Sequence, residues 1–99
     1  MFGLIGKMRA HAGQRDALLG LLLGSTKQMP GCLSYIVAKD TADADVIWVT
    51  EVWDNAESHK ASLSLPAVQA AIATARPLIA GFESQVMTEP VGGVGITSL

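Results

Sequence analysis

The segment Val46–Trp53, VIWVTEVW, constrains the fold of this chain more than any other. Its β-branched and aromatic residues are those of a strand. One face of that strand would carry Val46, Trp48, Thr50 and Val52, the other Ile47, Val49, Glu51 and Trp53. Both faces are largely apolar. An antiparallel strand with one wet face alternates apolar and polar residues, so this one calls for cover on both sides. Helices of its own chain can cover one side; the other cover must come from elsewhere.

The flanking sequence supplies the remaining elements. Phe2 to Arg9 reads as a first strand, with Phe2, Leu4 and Met8 on one face and Ile5, Lys7 and Arg9 on the other. Gly3 and Gly6 weaken it, or admit another backbone or a ligand. A helix from Gln14 to about Met29 follows, its face marked by Leu18, Leu21, Leu22 and Ser25 and widened by Leu19 and Leu23. Gly20 and Gly24 each cost roughly 1 kcal/mol in a helix interior, which close packing would justify. Met29-Pro30-Gly31 stops the helix, Cys32 to Lys39 is a second strand, and Asp40 to Asp45 is a polar hairpin loop. Asp54 to Glu57 has the form of a capping box opening a helix from about Ala56 to Leu63. Pro66 suits the first turn of a second segment striped by Leu65, Val68, Ile72, Ala75 and Ile79. Pro77 disturbs its last turn, Gly81 ends it, and Phe82 to Glu89 is the fourth strand.

This order is β-α-β-β-α-β, a ferredoxin-like α+β fold with a four-stranded antiparallel sheet and helices on one face. The apolar reverse face needs a partner sheet, which a second copy of the chain supplies most simply, so a homodimer is expected. Composition agrees: 49% of residues are hydrophobic and 16% charged, against roughly 25% charged in an average globular chain. The 99 residues suffice for one domain, with a core at residues 2–89 and a glycine-rich tail at 90–99. A net charge of −2 without a basic cluster gives no footprint for nucleic acid. No stretch suits a membrane span or a signal peptide, and the lone Cys32 fits a reducing compartment, so a cytoplasmic protein is the expectation.

The residues able to do chemistry are few. His11 and His59 are the only histidines, and no cluster has metal-ligand spacing, so no metal site is expected. Val91-Gly-Gly-Val-Gly95 follows a strand but opens no helix, and reads as a flexible or swapped tail rather than a phosphate loop. His59, in the second turn of its helix, is either a base able to take a phenol proton or a solvent-exposed helix residue. Trp48 and Trp53 point to opposite faces, and either packs in the core or stacks on an aromatic substrate. Tyr35 offers a hydroxyl to a quinol oxygen or sits at an interface rim. Glu51 in an apolar strand needs a partner, such as Lys7, Arg9, Arg76 or a backbone amide of another subunit. Arg76 could hold an anionic ligand or complement a helix C-terminus. Cys32 reads as a small buried hydrophobe, and the four methionines as core filler.

Four stretches, Gly31-Cys-Leu-Ser-Tyr35, Thr50-Glu-Val-Trp-Asp54, Ser62-Leu-Ser-Leu-Pro66 and Arg76-Pro-Leu-Ile-Ala-Gly81, together resemble the antibiotic biosynthesis monooxygenase (ABM) domain family, from Phe2 to Glu89. That resemblance implies a dimeric α+β barrel in which two sheets pack face to face. It implies, for some members, oxidation of quinols or polyketide-type phenols by O₂ without a cofactor. Other members degrade haem, process signalling molecules or have no known activity, because fold transfers more readily than chemistry. Many relatives carry a histidine nine residues after the tryptophan of the third strand; that position here is Ser62, and His59 lies one helical turn earlier. The haem-degrading branch uses an asparagine on the first strand, which this chain lacks. The expected site is therefore His59 as base, with Tyr35, Trp48, Trp53, Ser62 and Arg76 binding a small quinol or phenolic molecule. The alternatives are a non-catalytic homodimer that binds a small aromatic or hydrophobic ligand, and an interaction module whose pocket is filled by leucines.

Overall fold

The structure is a computed structural model and describes residues 1–96. Strands β1 (Phe2–Ala10), β2 (Cys32–Lys39), β3 (Val46–Trp53) and β4 (Ile79–Thr88) form one antiparallel sheet in the order β2-β3-β1-β4. Helices α1 (Arg15–Ser25), α2 (Ala56–Ser62) and α3 (Pro66–Ala75) complete the ferredoxin-like order, and a 3₁₀ turn, Arg76–Leu78, leads into β4. The strands alternate as their sequence requires. Ile47, Val49 and Trp53 are buried beneath the helices, while Trp48, Thr50 and Val52 lie on the open side of the sheet. The core joins Ala10, Leu18, Ile47, Val49 and Ala75, with Leu19, Leu21, Leu22 and Val37 packed around it.

Several boundaries depart from the sequence reading. Helix α1 ends at Ser25 rather than near Met29. The Thr26 hydroxyl donates to the Leu22 carbonyl at 2.6 Å, which closes the last turn, and Pro30 disfavours helical backbone at Met29. Gly20 and Gly24 have no packing partner among the described residues: a Cβ at either would meet nothing within 4 Å. The N-cap of α2 is Asn55, not Asp54, because the Asn55 side chain accepts from the Ser58 amide at 2.9 Å. Asp54 instead accepts from the Asn55 amide at 2.8 Å. Strand β4 begins at Ile79, three residues earlier than its composition suggests; Ile79 already pairs with Ala10, and Gly81 lies inside the strand beside Arg9. Pro77 ends the helix by breaking it into the 3₁₀ turn.

Packing corrects two more assignments. Met87 is 74% exposed, so it fills no core. Cys32 is half-buried; its thiol donates to the Ser34 carbonyl at 3.6 Å, and burial raises its pKa. The tail carries an isolated bridge between Gly93 and Ile96, and its last three residues lie outside those described. No helix among the described residues is long and apolar enough to cross a membrane.

Candidate active site

Between the helices and the sheet lies a cavity of about 620 Å³. Its apolar wall comes from Leu21 and Leu22 of α1 and from Val68 and Ile72 of α3. The stripe that the sequence places on one face of α3 is thus the cavity wall as much as a core contact, and Ile72 remains 38% exposed. The polar groups come from separate elements: Ser25 and Thr26 at the end of α1, Tyr35 from β2, Glu51 from β3, His59 and Ser62 from α2, and Arg76 after α3. Trp53 forms part of the same wall.

His59 is held by aromatic contacts on two sides. Its ring centroid lies 5.5 Å from that of Phe2 and 5.5 Å from that of Trp53, the latter edge-on. Nε2 of His59 stands 4.0 Å from Oε1 of Glu51, which also accepts a 3.0 Å hydrogen bond from the Trp53 indole N–H. Glu51 and Trp53, two residues apart, share one face of β3, so the strand's own geometry delivers both to the helix turn above. Two of the partners expected for Glu51 are engaged elsewhere. Arg9 instead pairs with Asp43 at 2.7 Å and Glu83 at 3.2 Å, while Lys7 lies over Trp48.

Ser62 is buried and donates to the His59 carbonyl at 2.6 Å, so it fastens the end of the helix that carries the histidine. Tyr35 stands opposite, registered with Glu51 across the β2–β3 pair. Burial, and secondarily the negative charge of Glu51, raises its hydroxyl far above the usual tyrosine range, so it stays protonated at neutral pH. It can donate a hydrogen bond to a ligand oxygen and cannot act as a base. Arg76 is exposed at the cavity rim. The exception among the sequence candidates is Trp48, which lies on the open face with its indole N–H donating to Asp40 at 2.7 Å. A sequence reading already gives the two tryptophans opposite faces; only packing tells which one meets the cavity. Glu51 is the functional candidate that the sequence reading treated as structural, though it shares a strand face with Trp53.

The ABM family model, described as antibiotic biosynthesis monooxygenase, matches residues 1–74. The chain belongs to that family. The family match is shorter than the resemblance drawn from motifs, which reached Glu89. A structure from Chloroflexus aurantiacus, described as a candidate antibiotic biosynthesis monooxygenase, has 64% identity and a TM-score of 0.94, covering 96% of this chain and 97% of that one. A counterpart from Deinococcus radiodurans has 28% identity and a TM-score of 0.77 over 99% of this chain and 100% of its own. One from Nitrosomonas europaea, at 14% identity and a TM-score of 0.76, covers 95% of this chain and 99% of its own and shares the fold alone. No curated protein matches.

Proposed function

We propose that this ABM-family chain is a cofactor-independent monooxygenase acting on a small quinol or phenolic compound. The observation that carries the reading is one base candidate, one protonated hydroxyl and one carboxylate converging on a largely apolar cavity of about 620 Å³. An aromatic ring fits such a chamber, and the polar groups fix its orientation.

His59 takes a proton from a ring hydroxyl, and the carboxylate of Glu51 stabilises the imidazolium that forms. Tyr35 donates a hydrogen bond to a second ring oxygen. The resulting phenolate gives one electron to O₂ more readily than a phenol would, and the radical pair joins as a carbon–oxygen bond. Return of the proton and loss of water leave a carbonyl on the ring. A hydroquinone and O₂ thus become a hydroxyquinone and water, with one oxygen atom in each product. Arg76 at the rim favours a substrate of partial negative charge. Ser62 and Trp53 keep the histidine in place.

The working unit in this reading is a homodimer, and the compartment is the cytoplasm. Half-buried Ile5, Trp48 and Val52 and the more exposed Ile36 and Val86 form an apolar open sheet face, which a second copy would cover. Anaerobic mixing with quinols followed by O₂, in wild type and His59→Ala, tests the chemistry. Loss of turnover with retained ligand affinity is expected. Turnover in neither protein, with affinity retained in both, would favour the non-catalytic binder.

A further inference from the structure

β1 contains two glycines that meet different fates. A Cβ at Gly3 would fall onto the Thr88 hydroxyl and within 2.9 Å of the Pro90 ring, so close packing of the C-terminal strand requires a glycine there. Gly6 has no such reason. A Cβ there would meet only the Val49 carbonyl oxygen, at 4.0 Å, among the described residues, and its backbone has no positive φ. A strand-interior glycine that neither packing nor backbone geometry requires is a stability cost with no local return.

Gly6 lines a second cavity of about 380 Å³. That cavity shares Met8, Tyr35, Glu51 and Phe82 with the larger chamber, so the two adjoin where Tyr35 and Glu51 stand. Gln85, paired with Gly6 across β1 and β4, contributes a side-chain amide. A side chain at position 6 would project from the helix side of the sheet, alongside Leu4 and Met8, into this space.

We propose that the space over Gly6 is a second subsite, and that Gly6 is the residue that keeps it open. This rests on the quinol reading of the main chamber and names the part of the substrate that reaches beyond it. The occupant is a neutral, hydroxyl-bearing extension of the reacting ring. Lys7 also borders the space, but its ammonium lies 5.3 Å from the centre of the Trp48 ring on the open face. The occupant's hydroxyl therefore donates to the Glu51 carboxylate or exchanges hydrogen bonds with the Gln85 amide, whereas a carboxylate in the same place would face Glu51 and be repelled.

The test is anaerobic equilibrium binding to wild type, Gly6→Ala and Gly6→Val. The probes are hydroquinone, 1,4-dihydroxynaphthalene, 1,4,5-trihydroxynaphthalene and 5,8-dihydroxy-1-naphthoate, whose carboxylate sits on the second ring in place of the third hydroxyl. Wild type should bind the neutral two-ring compounds at least about tenfold more tightly than hydroquinone, and the carboxylate more weakly than either. Gly6→Val should lose about tenfold or more for the two-ring compounds while holding hydroquinone within about threefold, with Gly6→Ala between. Both variants should unfold at or above the wild-type temperature, since each replaces a strand-interior glycine. A uniform loss for all probes, an unchanged ranking or a lowered melting temperature would overturn the subsite. Because binding is read without O₂, the outcomes separate. A selective loss in a protein that oxidises no quinol keeps the subsite and retires the monooxygenase reading; oxidation with a size-independent Gly6→Val effect does the reverse.

Discussion

In the proposed mechanism His59 and Glu51 divide the work at the residue scale. Replacing His59 with Ala should lower kcat by about 10²–10⁴-fold, the usual contribution of a positioned base, while leaving the melting temperature nearly unchanged. Stopped-flow oxygen consumption measures it. Glu51→Gln keeps the indole contact at Trp53 and removes the charge 4.0 Å from the imidazole. It should lose about 10- to 100-fold in kcat, below the ceiling of roughly 4 kcal/mol for unit charges at that distance and an effective dielectric near 20. KM should change little. A loss confined to KM would make Glu51 a binding residue instead. The sequence shows these residues as types but not as a pair. Parity along β3 puts Glu51 with Trp53, yet nothing in the spacing says that α2 docks its fourth residue over them.

Two elements carry the site through their ends. Helix α2 is short, and isolated short helices are marginal, so its cap decides whether His59 holds its position. Asn55→Ala should destabilise the protein by about 1 kcal/mol in urea unfolding, the usual value of an N-cap. It should also lower kcat, since the His59 turn begins at that cap. The β2–β3 loop is organised around Asp40, whose carboxylate accepts from the Trp48 indole N–H and from the amides of Asp43 and Ala42. These bonds, the Trp48 bond foremost, bring its pKa down to about 2. A carboxylate lowered in the folded state stabilises above its unfolded pKa of roughly 3.9, and that contribution fades as pH falls toward 2. Wild type should therefore melt above Asp40→Asn at pH 7, and the gap should narrow between pH 4 and pH 2 in thermal unfolding. Element type and order are legible in the sequence because strand alternation and helix spacing are local. The ends are less so: Thr26, Asn55 and Ile79 set theirs through particular hydrogen bonds and sheet pairing that periodicity does not encode.

The whole molecule is a thin slab, 40 × 31 × 18 Å, with helices on one side only. Its accessible surface is 6100 Å², against about 5,400 Å² for a compact monomer of this size. Strand β4 is exposed along nearly its whole length, and Ile36 and Val86 on the open face are 59% and 52% exposed. If a second copy covers that face, Ile36→Asp should shift the protein from dimer to monomer at micromolar concentration in analytical ultracentrifugation. A wild-type monomer under the same conditions would remove the need for a partner sheet. The double-sided apolar character of Val46–Trp53 makes this face visible in sequence. The cavity is not, because it is a space between α1, α3 and the sheet that exists only once those elements are packed.

In the proposed mechanism the cavity adds one atom of O₂ to a bound quinol through His59. The most direct measurement is mass spectrometry of the product formed from 1,4-dihydroxynaphthalene under ¹⁸O₂, with purified wild type and His59→Ala and the uncatalysed reaction as baseline. Wild type should form hydroxynaphthoquinone carrying one ¹⁸O well above that baseline, and His59→Ala should fall back toward it. Equal yields from the two proteins, or product oxygen drawn from water, would contradict the account.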